Sequence, residues 1–329
     1  DFQKNFMSPL VQKILKDTSA GLSTSGFAAI SNNNPRLFIA NHRDITLDSS
    51  ILAKFLVAKN LTPCEFTWGH NLMVSPFITD LGKINRMITV FRKGKPSDTL
   101  FNAQKLSAYI HNKITKDKLS VWIAQQKGRA KDGNDKTEVG VLKMLSLSGE
   151  GDLITRLSAL NITPISISYE WEPCDALKLK EIYISQSKVY VKKQDEDFQS
   201  IIGGILGKKG HIHLGIGDPI NTKTQQLDTT LSNNEFLQQL ATLINIEIYK
   251  NYHLWPTNFV AYDLLHQSHQ YTNQYTDKIE SDFKERMTKA IAENENNKNE
   301  VIRLFLKIYA EPVINKLKYK LPLDEPKIE

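Results

Sequence analysis

The sequence predicts an α/β protein that ends in helices, and three observations carry that expectation. Short apolar runs bounded by Pro, Gly or polar turns recur up to residue 220, as buried strands do. Between them lie stretches with apolar residues at helical spacing, the alternation that builds a sheet with helices on its faces. From Asn233 onward only the helical spacing remains. The expected organisation is an N-terminal amphipathic helix and loop over 1–34, an α/β domain over 35–220 and an all-helical C-terminal extension over 221–329.

Taken in order, Phe2, Phe6, Met7, Leu10, Val11, Ile14 and Leu15 form a helical stripe edged by Lys4, Lys13 and Lys16. The stripe packs on the core in one reading; in the other it lies on anionic lipid, apolar face down and lysines among the headgroups. Residues 18–34 are small and polar and read as a loop. Leu37 to Ala40, after Pro35, reads as a buried strand, followed by the polar turn Asn41-His42-Arg43-Asp44. Thr46 stands where an N-cap belongs, and Leu47, Ile51, Leu52, Phe55 and Leu56 continue with helical spacing. Residues 64–68 and 87–91 read as strands, the second delivering Arg92 and Lys93 at its end. A helix is expected over 97–113, then a strand over 119–123 that feeds the basic, glycine-containing loop 124–133. A short helix over 139–147 precedes strands at 162–169, 182–185, 189–191 and 211–216, the last with His211 and His213 outward. Residues 203–209 are expected to form a flexible turn or a basic surface touching lipid headgroups. Helical stripes follow at 236–248, 275–292 and 300–318, with a polar hinge at 293–300. The segment Leu254-Trp255-Pro256-Thr257-Asn258-Phe259 is expected to be a buried connector.

Composition narrows the partners. A net charge of +6 over 329 residues suits an anionic partner. The Arg-rich aromatic platforms that favour nucleic acid are missing, so no nucleic acid is expected. Cys64 and Cys174 lie far apart and show neither metal-ligand spacing nor a disulfide framework, and no metal is expected. No apolar run reaches the roughly 18 residues a bilayer span needs. No signal peptide is visible, and the chain starts at Asp1 rather than Met, which leaves room for an upstream segment.

The chemistry concentrates on the turn after the strand at 37–40. A His on a strand-to-helix turn, backed by a carboxylate, is a general base with its orienter: the carboxylate sets the tautomer and supports the imidazolium. Such a pair can deprotonate a substrate hydroxyl directly. Two further basic sites stand where strands end: Arg92 with Lys93, and Lys127-Gly128-Arg129. Gly128 permits close backbone approach to a ligand and Arg129 offers a forked donor to phosphate or carboxylate.

This order of features resembles the four motif blocks of the glycerolipid acyltransferase family, the lysophosphatidic-acid-acyltransferase-like group, over roughly residues 35–220. The blocks are a His-x4-Asp turn, a strand ending in Arg, Glu-Gly-Thr-Arg and Val-Pro-Val. Their counterparts here are His42 with a following Asp, Arg92, Gln126-Lys127-Gly128-Arg129 and the Pro-containing strand at 162–168. The resemblance implies a mixed, mostly parallel sheet flanked by helices, resting on the cytoplasmic face of a membrane. It implies an O-acyltransferase in which His42 deprotonates the acceptor, an Asp orients His42, and Arg92, Lys93, Gly128 and Arg129 hold the acceptor's phosphate. The donor would be a thioester of acyl carrier protein or coenzyme A, used as a co-substrate with no other cofactor, and the acceptor a membrane lipid or glycerol phosphate.

The departures are specific. Asp48 follows His42 with five residues between them rather than the family's four, and Asp44 has one residue between. A step of six turns a helix by about 240°, so His42 belongs in the turn and its partner in the first helical turn. Asp48, beside the expected helix start, is the expected partner, with Asp44 as the alternative. Lys127 stands where the family carries Glu, and Arg129 comes one residue early. A different acceptor, or a catalytically inactive lipid-binding scaffold on the same fold, would account for both. His42-Arg43-Asp44 also mimics a kinase catalytic loop, but no Gly-rich loop, strand Lys and Asp-Phe-Gly follow in order. Gly203 to Lys209 lacks the spacing of a phosphate loop.

Overall fold

The computed structural model describes residues 2–73, 75–91, 94–193, 195–228, 230–292 and 297–323. Its centre is a seven-stranded sheet: β1 (Ser19–Ser25), β2 (Leu37–Ala40), β3 (Glu65–Gly69), β4 (Met87–Val90), β5 (Val121–Ala124), β6 (Thr163–Tyr169) and β7 (Gly210–Ile216). The strand order is β1-β7-β6-β2-β5-β3-β4. Every pairing is parallel except β6 with β7. The sheet is therefore mixed and mostly parallel.

Helices cover both faces. They are α1 (Ser8–Thr18), α2 (Leu47–Ala58), α3 (Pro76–Ile84), α4 (Pro96–Thr115), α5 (Val139–Leu145), α6 (Leu153–Ala159), α7 (Asp175–Ser185), α8 (Glu196–Leu206), α9 (Asn221–Gln225), α10 (Asn233–Asn251), α11 (Pro256–His266), α12 (Asp277–Ile291) and α13 (Lys298–Lys318). The period of a strand decides which core each residue joins. Phe38 and Ala40 of β2 meet Leu47, Ile51 and Leu52 of α2 and Val11 and Leu15 of α1 on one face. Leu37 and Ile39 meet Ile110, Leu142, Leu240 and Ile244 on the other. Burying a side chain such as Ile51 or Leu240 contributes about 1.5–3 kcal/mol. Helices α11, α12 and α13 close a further apolar cluster with α7, built around Phe283, Phe305 and Tyr309.

Several local expectations differ from the structure. Residues 19–25 form a strand, not a loop: β1 is an edge strand of small polar residues held by parallel pairing to β7, so it carries no apolar alternation. Residues 182–185 belong to helix α7, and 189–191 have no regular structure. Isolated Ile and Val doublets suit either state, and tertiary packing decides. Residues 203–206 complete α8 rather than forming a turn. His213 points inward: it is buried, hydrogen-bonded to Ser23 and Ser25 of β1 with the His253 ring packed 5.1 Å away, while His211 stays exposed against Glu170. Thr46 sits at the N-cap of α2 without capping by its side chain. Leu254, Trp255 and Phe259 are buried. The expected hinge falls partly outside the described residues, at 293–296, and its remainder from Lys298 is helical.

Candidate functional site

The C-terminal ends of the parallel strands meet at the turn after β2. Asn41 is fully buried and continues the sheet with its side chain, accepting from Ile167 N (2.7 Å) and donating to Ile167 O (3.0 Å). The main chain leaves the sheet there, and Ala130 N donates to His42 O at 2.7 Å. The turn is thus stitched to β6 on one side and to the loop after β5 on the other.

His42 Nδ1 lies 2.9 Å from Asp48 Oδ2. Asp48 sits in the first turn of α2, is 3% exposed, and receives three more donors: Arg43 N at 2.6 Å and Asp44 N at 2.9 Å on Oδ2, and Tyr169 OH at 2.7 Å on Oδ1. With the carboxylate as acceptor at the His42 contact too, the proton is assigned to Nδ1, which leaves Nε2 as the lone-pair nitrogen. Nε2 has no hydrogen-bond partner among the described residues, and His42 lines a cavity of about 90 Å³. The edge of Trp122 packs against the imidazole, with ring centroids 5.6 Å apart, which holds the ring plane.

Asp44 makes a different set of bonds. Its Oδ1 caps α2 by accepting from Thr46 N (2.9 Å) and Leu47 N (2.8 Å). Its Oδ2 is buried with no hydrogen-bond partner. Burial, followed by the neighbouring Asp48 charge, raises the Asp44 carboxyl above its ordinary pKa. Of the two candidate partners, Asp48 is the one hydrogen-bonded to His42.

Arg129 stands across the cavity. It is 8% exposed; Nη2 donates to Ser200 Oγ at 3.0 Å, and Nη1 is buried without a partner. Gly128 beside it has φ +80° with open space where a Cβ would be. The glycine serves a left-handed backbone here. Asn71, Lys192 and Asp197 complete the polar wall. Arg92 and Lys93 lie outside the described residues.

A second, larger cavity of about 490 Å³ opens between β4, β5, α4 and α5. Ile88, Val90, Leu106, Ile123, Val141 and Met144 give it apolar walls, with Lys105 and Lys127 also on its lining. Thr67 and Ala124 line both cavities, so the apolar groove abuts the one containing His42.

Behind the turn lies a buried charge network with no readable sequence signal. Arg43 pairs with Asp135 (2.6 Å) and Glu172 (3.2 Å), donates to Gly133 O (3.1 Å) and faces the Tyr252 ring. Its charge is held strongly: burial opposes it, but Asp135 and Glu172 outweigh that and raise the guanidinium pKa. Lys178 donates to Arg43 O (2.7 Å) and Glu172 (2.5 Å). Tyr309 OH donates to Asp175 at 2.6 Å and accepts from Glu172 N at 3.1 Å, which ties α13 to the network. Tyr169, Ser200 and these residues come from strands and helices far apart in sequence, and only Tyr169, as the last residue of a strand, has a position a sequence reading would mark.

No family model and no curated protein matches the sequence. Among solved structures, the chain is similar to the crystal structure of the 1-acyl-sn-glycerophosphate (LPA) acyltransferase, PlsC, from Thermotoga maritima. The identity is 12% and the TM-score 0.40, over 74% of this chain and 77% of that one.

Proposed function

We propose that the protein is an acyltransferase that moves a fatty acyl group from a thioester to the hydroxyl of an anionic lipid or glycerol phosphate acceptor. The observation that carries this reading is the His42–Asp48 pair at 2.9 Å with Nε2 free, in a cavity that Arg129 also lines and that adjoins the apolar groove. The parts match the needs of the reaction. His42 Nε2 takes the acceptor hydroxyl proton as the oxygen attacks the thioester carbonyl, and the imidazolium formed is stabilised by Asp48. Collapse of the tetrahedral intermediate breaks the C–S bond, and the same proton passes to the departing thiolate, giving free thiol. No covalent acyl-enzyme is required. Arg129, lining the cavity, supplies a charge-assisted donor for the acceptor's phosphate. The 490 Å³ groove, within the usual size of ligand sites, takes the acyl chain of the donor. The donor is a thioester of coenzyme A or acyl carrier protein; Lys105 and Lys127 at the groove suit its anionic carrier.

Among the described residues no helix is long and apolar enough to cross a membrane, and peripheral association with a membrane is part of the proposal. A second reading is a lipid-binding protein of the same fold without turnover. It is favoured by exposed Lys127, which stands where the resemblance places an acid. The two are separated by supplying acyl-coenzyme A or acyl carrier protein thioester with a panel of hydroxyl acceptors and reading free thiol. Acceptor-dependent release that disappears in His42→Ala supports transfer. No release by folded wild type over the whole panel supports the lipid-binding reading.

A further inference from the structure

Helix α8 turns its apolar side outward. Phe198, Ile202 and Leu206 are spaced i, i+4, i+8 and fall within about 80° of the helix circumference. They are 61%, 37% and 69% exposed. In the segment just before, Val189 and Val191 are 88% and 81% exposed. Single exposed apolar residues are ordinary; five within one short segment mark an interaction surface. The opposite side of α8 is small, buried and turned to the site. Ser200 Oγ accepts from Arg129, and a Cβ on Gly204 would stand 2.0 Å from Asp44 Oδ2. Helix α8 is therefore a single-helix wall between the His42 cavity and the outside.

The charges around the stripe indicate what covers it. Lys188, Lys193 and Lys208 are exposed and have no carboxylate partner among the described residues. Two of the acids within the segment are engaged: Asp197 by Lys192 and Asn71, Glu196 by Tyr190 OH. Asp195 remains as an exposed acid. Helix α1 packs beside α8, leading from exposed Phe6 and Leu10 with Lys4, Lys13 and Lys16 around them. An apolar stripe rimmed by lysines is the pattern of a helix lying in the interface of an anionic bilayer, apolar face in the acyl boundary and cations at the headgroups.

We propose that α8, with residues 188–193, is the face on which this protein sits on an anionic membrane, so that the lipid acceptor reaches the His42 cavity around a helix already seated in the bilayer. The role given to the cavity rests on the acyl-transfer reading; the docking itself does not. The test is co-sedimentation of the full chain with phosphatidylcholine vesicles, with and without about 30% phosphatidylglycerol. Wild type binds the anionic vesicles, and binding weakens with salt. The triple variant Phe198→Ser/Ile202→Ser/Leu206→Ser loses binding about tenfold or more. Val189→Ser/Val191→Ser, outside any regular element, loses several-fold, which keeps the test meaningful should the triple variant not fold. Phe77→Ser, an exposed apolar residue on α3, leaves binding unchanged. The inference is overturned if wild type binds neither vesicle, if the α8 and Val189/Val191 variants bind as wild type does, or if wild type is a dimer that the triple variant dissolves with vesicle binding intact. His42→Ala binds vesicles like wild type. Vesicle binding without thioester transfer in wild type would overturn the reading of the cavity and leave the docking face standing.

Discussion

Asp48→Asn isolates the charge of the carboxylate from its shape. The amide oxygen can occupy the position of Oδ2 and keep the donors from His42, Arg43 N and Asp44 N, while the amide nitrogen faces Tyr169, whose hydroxyl turns from donor to acceptor. Every partner is retained, so the expected loss of stability is about 1 kcal/mol. The imidazolium formed during transfer, however, loses its counter-charge. Two unit charges about 4 Å apart at an effective dielectric of about 20 interact by about 4 kcal/mol, or about a thousandfold in rate. The His42 side chain keeps 14% exposure against 2% for Asp48, so water recovers part of that, and the expected fall in kcat is about 10²–10³-fold. The assay is thiol release at saturating acceptor, beside a thermal melt. A variant within about threefold of wild-type kcat and equally stable would refute the orienting role of Asp48. Asp44→Asn is the contrast. The Asp44 carboxyl is raised above its ordinary pKa, so its charged form weighs against the fold above its folded pKa, and that penalty fades as pH falls through the unfolded value. The variant keeps the Oδ1 cap and is expected to be as stable as wild type or more so at neutral pH, with the difference closing in acid.

Further outcomes follow from the same geometry. Arg129→Gln is expected to raise KM for a phosphorylated acceptor about tenfold or more while changing kcat less, since it removes the guanidinium that lines the cavity; an equal effect on an uncharged acceptor would argue against phosphate recognition. Arg43→Met leaves Asp135 and Glu172 without their buried cation and should cost about 3–5 kcal/mol, read by denaturant unfolding. Burial first, then the charges of His253 and Lys316, lowers His213 to about 3; burial, then Lys316 and His211, lowers His253 to about 4. Both fold as neutral rings while the unfolded chain binds their protons, so stability falls as pH drops from about 6.5 toward 4. His213→Gln/His253→Gln should flatten that fall in melts taken across the range; an unchanged slope would assign it to other groups.

What could be read directly from the chain was what neighbours in sequence decide. The strand at Leu37–Ala40, the turn and the helix from Leu47 follow from a four-residue apolar run and helical spacing, and the His42–Asp48 contact lies within that one unit. The alternation of strands and helices up to β7 was visible for the same reason. The tertiary structure decided what depends on distant partners. Strand β1 has no pattern of its own and exists because β7 lends it a backbone ladder. His213 is buried because Ser23 and Ser25 of β1 bond its ring and His253 packs against it. Asp48 rather than Asp44 meets His42 because the Asp44 side chain turns back to the first amides of α2, leaving Asp48 as the carboxylate that reaches the imidazole with Tyr169 behind it. Arg43, Asp135, Glu172 and Lys178 converge from four segments, and Ser200 meets Arg129 across the cavity, through contacts that no local spacing encodes. Local periodicity specifies which face of an element is apolar; which elements meet, and hence which polar groups are desolvated together, is set by the packing of the whole chain.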